Sequence, residues 1–66
     1  MSVAKIIELT ATSTDSFEDA CTQGIAKAGE TVRNIQGAWV DGQEVIVNDG
    51  AVKEFHVHLK VTFVLD

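Results

Sequence analysis

Sixty-six residues make a single domain, 1–66, and a chain this short buries only about 60% of its unfolded surface. Ten acidic against five basic side chains give a net charge of −5 with no basic patch, which argues against nucleic acid as a partner. The single cysteine rules out a disulfide within the chain, and no Cys/His cluster has zinc-finger spacing.

Small domains gain extra burial from disulfides, metals or partner subunits, so self-association is the expected source here. The lone Cys21 fits a reducing, cytoplasmic compartment. The first residues lack a basic lead and a long apolar core, so no signal peptide is expected, and no stretch is long enough to span a membrane. A hydrophobic content of 45% with no low-complexity tract predicts a folded chain.

Val3 to Thr12 alternates, with Val3, Lys5, Ile7 and Leu9 against Ala4, Ile6, Glu8 and Thr10. Apolar residues fall on both sides, which predicts a strand with both faces partly covered. Thr12 to Ser16 is a run of short oxygen-bearing side chains, a helix-start signal, with Asp15/Glu18 or Ser16/Asp19 as the capping pair. The apolar period then changes. Phe17, Ala20, Cys21, Ile25, Ala28 and Val32 recur at three- and four-residue steps, so one face of a helix is apolar. Gly24 lies on that stripe and permits close approach to a sheet. Gly29 has no evident role. Acidic residues open the helix and Lys27 and Arg33 lie toward its end, as the helix dipole favours. The helix is expected to end near Asn34.

Ile35 to Val47 is β-rich, with a kink expected at Asp41-Gly42. Asn48-Asp49-Gly50 is a tight-turn signal, because Asp-Gly readily takes positive φ. The last strand, Val52 to Leu65, is the most regular stretch. Phe55, Val57, Leu59, Val61, Phe63 and Leu65 share one side, and Glu54, His56, His58, Lys60, Thr62 and Val64 share the other. That parity describes a strand with one buried face. The order is βαββ, an α+β fold. A right-handed crossover sets the first two strands parallel, and the final strand lies antiparallel between them. The result is a three-stranded antiparallel sheet wrapped around one helix. One helix cannot cover strands this long, so the remainder is expected to meet other copies of the chain.

Lys5-Ile6-Ile7-Glu8-Leu9, Thr12-Ser13, Ser16-Phe17-Glu18-Asp19-Ala20, Ala28 to Thr31 leading to Arg33-Asn34-Ile35, Asp49-Gly50 with Val52-Lys53-Glu54-Phe55, and Leu59 to Leu65 together resemble the dodecin family. The resemblance runs nearly end to end. It implies a hollow dodecameric assembly of βαββ subunits and a non-enzymatic storage role, holding flavin (riboflavin or FMN) between neighbouring copies. Matching the family's pattern places Gly37 where the flavin-stacking Trp commonly stands, with Trp39 two residues later. It places His56 at the position of a flavin-contacting Gln, and Glu44 and Val64 at positions of phosphate-contacting arginines. These departures leave a second expectation open: a flavin-free shell that binds calcium or another metal ion, or serves a structural role.

Read individually, Trp39 is either an aromatic shelf for a planar ligand or ordinary strand packing. His56 and His58 point the same way, about 7 Å apart, as exposed strand residues or as metal ligands. His56 can also hydrogen-bond a flavin edge. Gly37 and Gly42 allow a bend or leave room beside Trp39 for a flat ligand. Asp41, Glu44 and Asp49 could serve calcium if several copies bring them together. Cys21 reads as a buried small hydrophobe. No nucleophile–base pair or phosphate loop points to an enzyme.

Overall fold

A computed structural model of the chain describes residues 2–65, so the two end residues of the expected 1–66 domain lie outside the described residues. Its elements are β1 (Val3–Ser13), α1 (Phe17–Ala28), β2 (Ile35–Asn48) and β3 (Ala51–Leu65). The sheet order is β1-β3-β2, and β3 is antiparallel to both neighbours. The central place of the last strand is therefore as expected. At about 3.3 Å per residue a 15-residue strand spans roughly 50 Å. The whole chain measures 51 × 19 × 13 Å, so β3 sets its length.

The parity of β3 decides what is inside. Val57, Leu59 and Val61 are buried together with Ala20 of α1. Ile7, Leu9 and Ala11 of β1, Phe17, Cys21 and Ile25 of α1, and Ile35 of β2 pack against them. Phe17 meets Phe55 edge to face with ring centroids 5.1 Å apart. Gly24 is the point of closest approach: a Cβ there would lie 2.9 Å from the Ala11 Cβ and 3.2 Å from Leu59 Cδ1. The β1 expectation held for one face only. Ile7, Leu9 and Ala11 are half-buried, whereas Ile6 on the other side is 53% exposed, and Val3, at the strand's start on the covered side, is 55% exposed.

Ser16 caps the helix, its Oγ accepting from the Asp19 N–H at 2.9 Å. The capping pair is half formed, because the Asp19 carboxylate accepts from the Ser13 hydroxyl at 2.6 Å. Ser13 Oγ in turn accepts from the Asp15 N–H at 2.9 Å. The helix ends at Ala28, earlier than the expected Asn34. Gly29 is its C-cap, donating to the Ile25 carbonyl at 2.9 Å. Glu30 and Thr31 then donate to Lys27 and Ala28, three residues back, which tightens and closes the last turn. Val32 and Arg33 thus lie in the connection and not on the helix. Asn34 takes φ 62°, and its carbonyl accepts from the Val64 N–H at 3.1 Å, which steers the chain into β2. Gly29, which had no evident role in the sequence, marks the stop, although its φ of −65° does not require glycine.

The hairpin is as expected. Asp49 and Gly50 take φ 52° and 74° between the paired Asn48 and Ala51, the two-residue turn whose twist suits antiparallel strands. The expected kink at Asp41-Gly42 is a bulge. Val40 lies opposite Leu59 and Gly42 opposite His58, leaving Asp41 as the extra residue. Similar shifts fall between Ile35 and Gly37 and between Ile46 and Val47. The helix packs on β1 and β3. Val40 and Val45 of β2 sit opposite Leu59 and Phe55, on the helix side, yet remain 50% and 39% exposed.

Candidate functional site

The strand register divides the sheet into a helix-covered face and a helix-free face. The helix-free face carries Glu54, His56, His58, Lys60 and Thr62 from β3, all alternating with the buried set. Opposite them on β1 stand Thr12 beside His56, Thr10 beside His58 and Glu8 beside Lys60. On β2 stand Glu44 beside His56, Gly42 beside His58, Trp39 beside Lys60 and Gly37 beside Thr62. Gly37, Trp39, Glu44 and His56, the residues singled out for flavin contact, therefore lie on this one face. The two-residue step from Gly37 to Trp39 contains no register shift, which keeps both on the same side.

Trp39 is 69% exposed, a large aromatic surface held out from a polar face. An added Cβ at Gly37 or Gly42 would meet nothing within 4 Å, so both glycines leave open space along the strand that holds Trp39. A flat molecule laid on the indole would meet no neighbouring β2 side chain at these positions. The face is also acidic, with Glu8, Asp41, Glu44 and Glu54 against Lys60.

The histidines are not a shared pair. His56 Nε2 lies 2.9 Å from Glu54 Oε1, and His58 Nε2 lies 2.9 Å from Glu8 Oε1. His58 Nδ1 lies 3.1 Å from Thr10 Oγ1. A shallow hollow lined by Thr10, Gly42, Gln43, Glu44, His56 and His58 opens between them. Asp41 sits with its carboxylate 3.7 Å from Lys60 Nζ and 4.0 Å from His58 Nε2. The three carboxylates named from the sequence do not gather within one chain: Asp49 is in the hairpin turn, Glu44 is opposite His56, and Asp41 is with Glu8 and His58. Glu8 went unnoticed in the sequence. Its signal was its place on the polar side of β1, which gains meaning only once β1 is paired with β3. Cys21 is half-buried against the core, as its stripe position implies.

The family model described as Dodecin matches residues 3–66. The chain belongs to the dodecin family. It is 32% identical over 63 residues to the calcium dodecin of Mycobacterium tuberculosis, covering 96% of this chain and 89% of that one. An arginine-to-alanine variant of Thermus thermophilus dodecin superposes with a TM-score of 0.94 at 32% identity, covering 100% of this chain and 98% of the other. The dodecin of Streptomyces coelicolor gives 0.93 at 26% identity, covering 98% and 93%. The crystal structure of the calcium dodecin, described as having a novel calcium-binding site, gives 0.84 at 29% identity, covering 98% and 93%. The βαββ subunit of this dodecin is thus the family's fold. Among the described residues no helix is long and apolar enough to cross a membrane.

Proposed function

We propose that this dodecin is a non-enzymatic binding protein, a cytoplasmic homododecamer that sequesters flavin on the helix-free face of its sheet at the seams between copies. Trp39 is the stacking surface. The observation that carries this reading is a single exposed indole on a polar face, 69% accessible, with open space at Gly37 two residues away. An aromatic stack contributes about 1 kcal/mol beyond the area it buries, so one indole alone holds a flavin weakly and a second copy must close the site. His56, on the same face, offers a ring nitrogen to the polar edge of the ligand. The carboxylates of Glu44, Glu8 and Glu54 disfavour a phosphate, so riboflavin is preferred to FMN. A riboflavin fluorescence titration tests this. Quenching at stoichiometric ratio, lost in Trp39→Ala, supports it; unchanged riboflavin fluorescence ends it.

The likeness to a calcium dodecin supports a second reading, a flavin-free shell that binds calcium. Calcium takes six to eight oxygens, more than one chain's Asp41, Glu44 or Glu54 supplies, so this reading also requires several copies to share a site. A rise in thermal midpoint with calcium chloride and none with riboflavin would select it.

A further inference from the structure

Glu8, Asp41 and His58 come from three different strands and meet at one point. Each presents one ligand atom, and the three atoms lie within 4.8 Å of one another. The bulge in β2 makes this possible. Gly42 stands opposite His58 and adds no side chain over the imidazole, while the extra residue Asp41 brings its carboxylate to 4.0 Å from His58 Nε2. The Cβ position of Gly42 has nothing within 4 Å of it.

We propose that Glu8, Asp41 and His58 form a centre for a borderline divalent transition ion such as Zn²⁺, one that discriminates against calcium. Ligand atoms about 2.1 Å from a tetrahedral ion lie about 3.4 Å from each other. His58 Nε2 is 2.9 Å from Glu8 Oε1 and 4.0 Å from Asp41 Oδ2, distances that bracket this value. An imidazole nitrogen suits zinc, nickel or copper, whereas calcium takes oxygen only. Without a metal ion, the Nε2–H tautomer of His58 donates to the Glu8 carboxylate across 2.9 Å, and an ion bound at Nε2 takes the place of that proton. The other ring nitrogen, Nδ1, faces Thr10 Oγ1 at 3.1 Å, the outer contact that fixes the ring of a metal-bound histidine. With one nitrogen and two carboxylates as ligands, water or a neighbouring copy completes the sphere.

Lys60 opposes the ion. Its Nζ lies 3.7 Å from Asp41 Oδ1, and its side chain is 41% exposed, so it can swing to solvent when a cation binds. Removing its charge therefore tightens binding, an effect that nonspecific surface adsorption at other carboxylates would not show. The proposal is independent of the flavin reading, because Trp39→Ala leaves all three ligands in place.

The test is a calorimetric titration of the assembled, chelator-stripped protein with zinc chloride, with assembly size followed by sedimentation. One Zn²⁺ per chain is expected, not displaced by an equal concentration of calcium. His58→Ala should abolish stoichiometric binding, Thr10→Val should weaken it by about tenfold to a hundredfold, and Lys60→Met should strengthen it. No stoichiometric zinc, displacement by equal calcium, or unchanged zinc affinity in His58→Ala would each overturn the proposal. If His58→Ala does not fold, carbethoxylation of the unmodified chain decides. Zinc should protect His58 and leave His56 reactive; equal reactivity of the two with zinc present refutes the centre.

Discussion

Replacing Gly24 with alanine should destabilise the protein, whereas the same change at Gly29 should stabilise it, although both glycines belong to one helix and its cap. The new methyl group at Gly24 would stand 2.9 Å from the Ala11 Cβ, 3.2 Å from Leu59 Cδ1 and 3.3 Å from Leu9 Cδ1. The first contact is shorter than real Cβ contacts allow, so α1 must move away from β1. Overpacking of this kind costs about 1–3 kcal/mol. The gain in helix propensity from Gly to Ala offsets about 1 kcal/mol. The net loss is then about 0–2 kcal/mol. At Gly29 the added Cβ meets only helix carbonyls at 3.4 and 3.5 Å, and φ is −65°, a conformation any residue adopts. There alanine should gain about 0.4–1 kcal/mol by restricting the unfolded chain. Guanidinium unfolding followed by circular dichroism, at one fixed protein concentration because assembly shifts the midpoint, measures both. Each kcal/mol corresponds to roughly 4–8 °C in thermal midpoint for a domain of this size. A Gly24→Ala protein as stable as Gly29→Ala would refute the tight approach of helix and sheet.

Ser16→Ala removes the acceptor for the Asp19 N–H and should cost about 1 kcal/mol, read from the same unfolding curves. Leu59→Ala removes the largest fully buried side chain and should cost about 2–5 kcal/mol; a loss below about 1 kcal/mol would show that the core is not centred there.

Most of the fold was legible because each element carried its own local signal. The alternation of Phe55 to Phe63 identified a half-buried strand without any partner in view. Asp49-Gly50 announced a turn because few residues other than glycine take φ 74° without strain. The helix end was not legible from its apolar stripe, because Val32 continues the spacing by accident after the chain has left the helix. Gly29 was the better guide. The bulges were only half visible. Asp41-Gly42 looked like a kink, but nothing local marks the shifts beside Gln36 or Lys53, which arise from matching three twisted strands of unequal length. The same difference separates the parts of the candidate site. Gly37 and Trp39 share a face by simple parity on one strand. Glu8 and His58 are 50 residues apart in sequence, and their contact depends on register, which parity within either strand does not determine.

The helix-covered side of the sheet explains why a single copy is incomplete. The buried apolar residues are Ala20 and Ala28 of the helix and Val57, Leu59 and Val61 of the central strand. The helix has 12 residues and β3 has 15, at rises of about 1.5 and 3.3 Å, so the helix reaches roughly 18 Å along a strand of roughly 50 Å. Val40 and Val45 face the helix side of β2, out of its reach, and Val47, Val52 and Leu65 are exposed near the sheet's ends. An open groove between α1 and β1, lined by Ile7, Leu9, Ala11, Gly24, Ala28 and Val32, leaves the other flank unfilled as well. Uncovered apolar surface on both flanks of one helix calls for neighbours on both sides. A contact that uses two different patches continues past a dimer, into a closed ring or shell if its rotation closes, where a single self-complementary patch would stop at two copies. The polar face, with Trp39 and His58, lies on the other side of the sheet from these apolar flanks.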